Sequence, residues 1–175
     1  MPGDDVITRL AAKDEIRELL YRYCRAIDRC DAELLESVYH PDALDEHTIG
    51  DVGLPAADFR RRVIPHVQAD WESTQHLLGN MSISLDGEVA HAETYFVAHH
   101  VRHPDPEGRQ LLDVLGGRYV DHLERRDGEW RLSRRTVVQD WQETRTFNPG
   151  PFELHPSRRD RLDPGYVRSP SRASA

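Results

Sequence analysis

Two side chains, an aspartate and a histidine, have the types and positions needed for acid–base chemistry. Asp28 ends the stretch EIRELLYRYCRAID, and His76 lies in STQHLLGN, just before a pattern of alternating apolar residues. Histidine has an unperturbed pKa of about 6.5, so a neutral imidazole can take up a proton near neutral pH. An aspartate bonded to the other ring nitrogen would fix the tautomer and stabilise the imidazolium. Our hypothesis is that Asp28 and His76 meet in a cavity as an acid–base pair.

Each of these residues also has a purely structural interpretation. Asp28 can simply end its helix or cap the next turn, and His76 can be a core histidine bonded to the backbone. Tyr23, on the same helix as Asp28, can be plain core. Their arrangement decides between the two interpretations. A pair within hydrogen-bond distance that faces a hollow would favour an enzyme, and a solvent-facing His76 would exclude it.

The helix that must position Asp28 is amphipathic. Thr8 is a candidate N-cap, and the apolar residues that recur at helical spacing after it are Ile16, Leu19, Leu20, Tyr23, Cys24 and Ile27. With about 100° per residue, Asp28 falls at the edge of this apolar arc. Its carboxylate is therefore expected to be partly desolvated.

Two further helices and one strand are predicted before His76. Asp31 caps a second helix over Ala32–Tyr39, which the residues HPD end. A strand or hairpin follows near Leu44–Ile49. Pro55 opens a third helix that runs to about Asp70, and Pro65 is expected to kink or end it.

From His76 onward the apolar period changes to two, which predicts antiparallel strands. Gly116-Gly117 indicates a bulge in one of them. The first strand starts at His76, and the others are expected over Val89–Val101, Leu111–Leu123 and Trp130–Trp141, with turns at Asp86-Gly87, Pro104–Gly108 and Arg126-Asp127-Gly128. Helices followed by strands predict an α+β fold, with the helices packed on one face of a strongly curved antiparallel sheet.

Length and charge limit the classes of protein that fit. A chain of 175 residues is large enough for one domain with a real core. Its net charge of −8 argues against general nucleic-acid binding, which needs an excess of basic residues. No apolar run approaches the roughly 20 residues that span a bilayer, and the N-terminus has no signal-peptide pattern. We expect a cytoplasmic protein that binds neither membrane nor nucleic acid, with Cys24 and Cys30 as reduced thiols.

Other catalytic patterns are absent from the sequence. Ten histidines make a metal site worth testing, and His91, His99, His100 and His103 lie on or next to one predicted strand. Neighbouring residues of a strand point to opposite faces, so His99 and His100 cannot easily share one ion. No HxH or HExxH pattern, GxSxG elbow or phosphate loop occurs.

The composition changes after Phe147, so we divide the chain into a domain over 1–147 and an irregular Pro/Arg-rich tail over 148–175. The tail holds five of the eleven prolines and few apolar residues. Phe152, Leu154 and Tyr166 are its obvious anchors. The tail either stays loose or lies across the pocket mouth or a neighbouring subunit.

Four motifs resemble the SnoaL-like branch of the nuclear transport factor 2-like superfamily. They are YRYCRAID, HPDA, STQHLLGN and RYVDHLERRDGEWRLSRR, and the resemblance covers roughly residues 8–145. It implies a cone-shaped, cystatin-like fold in which three helices and a bent sheet enclose an apolar pocket. Dehydratases and a dehydrochlorinase of this branch carry an aspartate and a histidine at the positions of Asp28 and His76.

The same resemblance implies three further site residues. Tyr23 matches a tyrosine that would bond the substrate oxygen, although the dehydrochlorinase has a lysine there. Arg135 on the last strand would stabilise negative charge, unless it is a surface residue of the basic run WRLSRR. His99 is the nearest match to a polar residue of the middle strand, and His100 replaces it if the register differs by one.

These residues together imply a cofactor-independent lyase that needs neither a metal nor an organic cofactor. Its expected substrate is a small, cyclic, mostly apolar molecule, and dehydration is the favoured reaction. The alternatives are an isomerase or cyclase of the same fold, or a non-catalytic binder such as a dioxygenase small subunit. Because members of this fold often assemble through the outer sheet surface, we expect a homodimer or homotrimer.

Overall fold

A computed structural model describes residues 2–47, 53–151, 154–155 and 157–166. These residues form three α-helices and five strands, of which β1 lies between the second and third helices and the other four follow the third helix. This order confirms the predicted α+β class. The elements are α1 (Pro2–Asp28), α2 (Ala32–Glu36), β1 (Tyr39–Glu46), α3 (Ala56–Asp70), β2 (Trp71–Asp86), β3 (Val89–Arg102), β4 (Gln110–Arg126) and β5 (Glu129–Phe147), with a 3-10 turn at Pro164–Tyr166.

The five strands form one sheet in the order β1-β5-β4-β3-β2. Strands β2 to β5 are an antiparallel meander, as the alternating pattern predicts. Strand β1 differs, because it pairs with β5 in parallel, with Tyr39 opposite Leu132 and Leu44 opposite Arg134. A parallel pair needs a long return connection, and here α3 and the meander supply it. The sheet edges are therefore β1 and β2.

Three boundaries differ from the predicted ones. Helix α1 begins at Pro2 rather than near Thr8, because a proline is favoured in a first turn. Helix α2 ends at Glu36, and β1 passes through Pro41 because its pairing with β5 is interrupted there. Of the predicted strand near Leu44–Ile49, residues 48–49 lie outside the described part of the chain.

Two strands run further than the sequence predicts, and α3 reaches Asp70 as predicted without ending at its internal proline. Helix α3 continues through Pro65 to Asp70, with Pro65 on its exposed side. Strand β2 begins at Trp71 instead of His76, and β5 extends beyond Trp141 to Phe147. The alternating pattern fades in the β5 extension because its added residues are mostly exposed.

The core lies between α1 and the inner face of the sheet. The predicted apolar arc of α1 is buried there, together with inner-face residues of β3, β4 and β5. Aromatic rings fill the centre: the Phe96 and Tyr119 rings stack with centroids 4.3 Å apart, and the Tyr23 ring meets Tyr119 edge-on at 5.6 Å. None of the helices in the described ranges is both long and apolar enough to cross a membrane.

The predicted bulge at Gly116-Gly117 is confirmed by a shift in the β4–β5 register. Both glycines are buried, and each faces a group that leaves no space for a side chain. A Cβ on Gly116 would collide with the Trp141 ring, and one on Gly117 would collide with the carbonyl oxygen of Val138.

Replacing Gly117 by alanine is therefore expected to destabilise the fold by about 2–3 kcal/mol, because the colliding atom belongs to backbone that cannot move aside. Gly79→Ala is the matched control, since its Cβ would lie 3.7 Å from the Tyr95 carbonyl oxygen, an ordinary contact. Urea unfolding of both variants measures the difference. Equal losses would contradict the close backbone approach.

Of the C-terminal tail, the described segment 157–166 lies against the joint between α1 and α2. The Tyr166 hydroxyl donates to Asp31 Oδ2 at 2.8 Å, and the Arg161 guanidinium pairs with Asp31 and Glu33. The predicted anchor Leu154 is 83% exposed and anchors nothing, whereas Phe152 lies outside the described residues.

Candidate active site

The structure brings Asp28 and His76 together. Helix α1 ends at Asp28 beside the edge strand β2, and Asp28 Oδ1 lies 2.7 Å from His76 Nδ1. The two side chains are 12% and 9% exposed, so the pair is largely desolvated while still open on one side. In this environment a hydrogen bond to a carboxylate is stronger than in bulk water.

The Asp28 carboxylate accepts two further hydrogen bonds. The Thr74 hydroxyl donates to Oδ1 at 3.0 Å, and the backbone N–H of His76 donates to Oδ2 at 3.0 Å. All three donors lie on β2, so the strand fixes the carboxylate in one orientation. The neutral imidazole must then carry its proton on Nδ1. Its Nε2 has no hydrogen-bond partner within the described ranges, so its lone pair is free to accept a proton.

A groove of about 440 Å³ lies beside the pair, between α1 and β2. Asp28 and His76 line it together with Leu77 and Leu78. The expectation of an apolar hollow needs correction here, because the α1 wall of this groove is charged. Its charged members besides Asp28 are Glu18, Arg22, Arg25 and Arg29.

Of the two histidines that the register left open, His100 rather than His99 lies on the face of the sheet that carries His76. On β3 the residues opposite Thr74 and His76 are His100 and Ala98, so His100 shares their face. The His100 ring lies 5.3 Å from the His76 ring and 4.7 Å from the Trp71 ring. His99 points to the outer face, where its Nδ1 is buried without a partner among the described residues.

Burial, together with the nearby His76, lowers the pKa of His100 to about 4, although Asp28 and Asp113 act in the opposite direction. His100 is thus neutral at pH 7. An unfolded histidine titrates near 6.5, so between about pH 6.5 and 4 the unfolded chain binds more protons than the folded one.

The folded state should therefore lose up to about 3 kcal/mol on account of His100 as the pH falls from 7 to 4. His100→Gln removes the titrating group. The unfolding free energy of this variant is therefore expected to fall less between pH 7 and 4 than the unfolding free energy of the wild type. Urea unfolding at pH 7.0, 5.5 and 4.5 measures it, with the exposed His91→Gln as control. Parallel pH curves for wild type and His100→Gln would contradict a neutral buried His100.

Arg135 and Tyr23 belong to a second, buried cluster rather than to the groove. Arg135 is 0% exposed and forms two hydrogen bonds with Asp121, at 2.7 and 2.8 Å. Its guanidinium lies between the rings of Tyr23 and Tyr119, at 4.0 and 4.1 Å from their centroids. The surface alternative for Arg135 is thus excluded. Burial raises the pKa of Tyr23 far above its usual range, so its phenol is neutral.

A second aspartate–histidine pair supports this cluster from β1. His47 Nδ1 lies 2.5 Å from Asp45 Oδ1, and His47 Nε2 lies 3.2 Å from the Tyr23 hydroxyl. Asp45 also accepts a hydrogen bond from the Tyr39 hydroxyl at 2.6 Å. With its proton on Nδ1, His47 accepts from Tyr23, so the Tyr23 hydroxyl already has an acceptor inside the protein.

The sequence interpretation missed four residues of these two clusters. They are Thr74, Asp45, His47 and Asp121. The D-x-H spacing of Asp45 and His47 was a usable signal, because it places a histidine just past the end of β1 within reach of an aspartate on that strand. No group of three or more His, Cys, Asp or Glu side chains in the described part of the chain is arranged to hold a metal ion.

Comparison with known proteins adds a family and a set of fold relatives. The model of the SnoaL-like domain matches residues 8–136. An uncharacterized protein of Mycobacterium tuberculosis is 27% identical over 137 residues, which is 78% of this chain and 90% of that protein. An uncharacterized protein of Mycobacterium bovis matches to the same extent.

Solved structures share the fold at low sequence identity. A putative scytalone dehydratase from Novosphingobium aromaticivorans superposes with a TM-score of 0.69 and 19% identity, over 85% of this chain and 99% of that one. A hexachlorocyclohexane dehydrochlorinase from Novosphingobium barchaimii gives a TM-score of 0.61 and 18% identity, over 86% and 99%. At this identity the likeness shows a common fold, and it leaves the reaction to the site residues.

Proposed function

Because the chain belongs to the SnoaL-like family, within the nuclear transport factor 2-like superfamily, we propose that it is a cofactor-independent, dehydratase-like lyase. The observation that carries this proposal is the Asp28–His76 pair. Its hydrogen bonds hold the proton on Nδ1 and leave Nε2 free at the side of a groove. This arrangement can remove a proton from carbon next to a carbonyl group.

In the proposed reaction His76 Nε2 takes the proton, and the C–H electron pair moves to form a carbon–carbon double bond as hydroxide leaves from the neighbouring carbon. Asp28 stabilises the imidazolium that forms, since it already accepts from Nδ1. The same proton can then pass from His76 to the departing hydroxide, which releases water and restores the neutral imidazole. No external proton donor is needed to balance this step.

Tyr23 and Arg135 lie outside the groove, so in this proposal they do not contact the reacting atoms. Their cluster places a fully buried positive charge within the core, and Arg135 Nη1 has no hydrogen-bond partner within the described residues. A buried donor without a partner is a place where a water molecule gains a hydrogen bond. The proposed substrate is a small, cyclic, mostly apolar ketone or hydroxyketone.

The test is a screen of cyclic ketones, hydroxyketones and sterols with wild type and His76→Ala, followed by mass spectrometry. A product lighter by one water with the wild type, and absent with His76→Ala, is the expected result. His91→Ala is the matched control, because His91 is exposed on the outer sheet face. A product of unchanged mass that needs His76 would replace the lyase by an isomerase. Ligand binding without any product would overturn an enzymatic function.

The assembly proposed with this function is a homodimer or homotrimer that uses the outer sheet face. Large apolar side chains are exposed there, namely Leu77, Tyr95, Val120 and Trp141. Burying such a patch is the usual reason for self-association. Sedimentation equilibrium would measure the mass, and a monomer at micromolar concentration would contradict it. The cytoplasmic location remains a prediction.

A further inference from the structure

A guanidinium from the C-terminal tail reaches the corner where α3 ends and β2 begins. Arg159 Nη1 donates to the carbonyl oxygens of Val67 and Trp71, at 3.3 and 2.5 Å. These bonds hold the tail segment against the start of the strand that carries His76. They occupy only one of the three nitrogens of the Arg159 guanidinium.

The other two nitrogens of Arg159 are unusual for a folded protein. Both Nε and Nη2 are buried, and neither has a hydrogen-bond partner among the residues that the structure describes. No carboxylate in those ranges forms an ion pair with Arg159 either. Buried donors without partners are costly and rare, so each one calls for a ligand or a water molecule at that point.

Nε and Nη2 together form one edge of the guanidinium. In three other arginines of this protein the same edge binds an aspartate carboxylate. Arg135 uses it to hold Asp121 at 2.7 and 2.8 Å, and Arg102 uses it to hold Asp113 at 2.7 and 2.9 Å. Arg158, the neighbour of Arg159, holds Asp160 in the same way, at 3.0 and 2.6 Å. Two parallel N–H groups match the two oxygens of a carboxylate.

The unpaired edge of Arg159 lies in the same corner of the molecule as the Asp28–His76 pair. Arg159 bonds the carbonyl group of Trp71, whose ring packs on His100, and His100 in turn packs on His76. Cys30 provides a second link. Burial raises the pKa of its thiol, Arg159 lowers it and Asp28 raises it, so both charges lie within electrostatic reach of Cys30.

We propose that the Nε/Nη2 edge of Arg159 is a carboxylate-binding subsite, and that the natural ligand is a small cyclic molecule bearing a carboxylate group. The binding part of this inference stands on the geometry alone. The part that makes this ligand the substrate rests on the proposed function. Among the residues that line the groove beside the pair, Arg22, Arg25 and Arg29 outnumber the acids Glu18 and Asp28, which favours an anion in the groove.

The experiment uses benzoate as the probe and benzamide as its neutral isostere, titrated calorimetrically into the full chain. Benzoate should bind the wild type, and Arg159→Gln should weaken it at least tenfold, which corresponds to about 1.4 kcal/mol. Arg158→Gln is the matched control and should leave the affinity unchanged, since Arg158 is exposed and bonds its own neighbour Asp160. Benzamide should bind more weakly than benzoate to the wild type.

Arg159→Lys is a second variant for the case in which Arg159→Gln fails to fold. Lysine keeps the positive charge but lacks the edge with two parallel N–H donors. This variant should fold with an unchanged circular dichroism spectrum and still lose at least fivefold in benzoate affinity. Equal benzoate affinity for wild type and Arg159→Gln would overturn the subsite. Equal binding of benzoate and benzamide, or no benzoate binding to the wild type, would overturn it too.

His76→Ala separates this inference from the proposed function. The variant should bind benzoate as the wild type does, because His76 makes no contact with Arg159. Retained benzoate binding, together with turnover that does not depend on His76, would remove the lyase and leave the subsite standing. Turnover that depends on His76 but not on Arg159, with equal benzoate affinity for wild type and Arg159→Gln, would remove the subsite and leave the lyase standing.

Discussion

Asp28→Asn is expected to lower kcat about 10²- to 10⁴-fold on any substrate that the screen identifies, with little change in KM. Three donors converge on the Asp28 carboxylate: the Thr74 hydroxyl, the His76 backbone N–H and His76 Nδ1–H. An asparagine offers one oxygen and one NH₂ group in the same place, so at least one donor then faces another donor. The imidazole must turn or change tautomer, and the imidazolium loses its counter-charge.

Thr74→Val is the matched control for this prediction. It removes one of the three donors and leaves the charge and the Asp28–His76 bond in place, so a loss of less than tenfold is expected. The tautomer can be measured without any substrate, because ¹⁵N shifts distinguish a proton on Nδ1 from one on Nε2. Protonation of His76 mainly on Nε2 in the wild type would contradict the assigned role of Asp28.

Asp121→Asn is expected to destabilise the protein by about 3–5 kcal/mol, the largest effect on stability among these predictions. Asp121 is 2% exposed and Arg135 is 0% exposed, so the substitution leaves an arginine without a counter-charge in the core. The two tyrosine rings on either side of the guanidinium do not replace the lost counter-charge, since they already contact Arg135 in the wild type.

The double variant Asp121→Leu/Arg135→Met tests whether the cost arises from the unpaired charge. Replacing both partners of a buried pair by apolar residues of similar size is often neutral, so this variant should be clearly more stable than Asp121→Asn. Urea unfolding of both variants gives the comparison. A double variant as unstable as Asp121→Asn would show that shape, rather than charge, governs this part of the core.

The sequence was informative wherever the signal is local. The helical arc from Ile16 to Ile27 and the alternation in the four meander strands identified the core and the fold class, and the bulge at Gly116-Gly117 was found from glycine alone. The Asp28–His76 contact was predicted as well, because the family resemblance placed both residues at the corresponding positions. Its catalytic role remains a prediction.

The missed features depend on partners that are distant in the sequence. Nothing near Tyr39 indicates that β1 will pair in parallel with β5, so the Asp45–His47 pair could not be assigned to the Tyr23 cluster. A one-residue uncertainty in register exchanges the faces of a strand, which is why His99 was preferred although His100 lies on the face of His76. The position of the tail depends on single contacts such as that of Tyr166 with Asp31.

The parallel pairing of β1 with β5 has a consequence for the order of folding. Tyr39 pairs with Leu132 of β5, so β1 can join the sheet only after the last strand has been synthesised. Strands β2 to β5, in contrast, can form hairpins one after another. During synthesis the Asp28–His76 pair can form early, but the Asp45–His47–Tyr23 network must form late. Nascent chains that end before β5 would therefore expose β1 as an unpaired strand, and this is the stage at which the protein is most prone to aggregate.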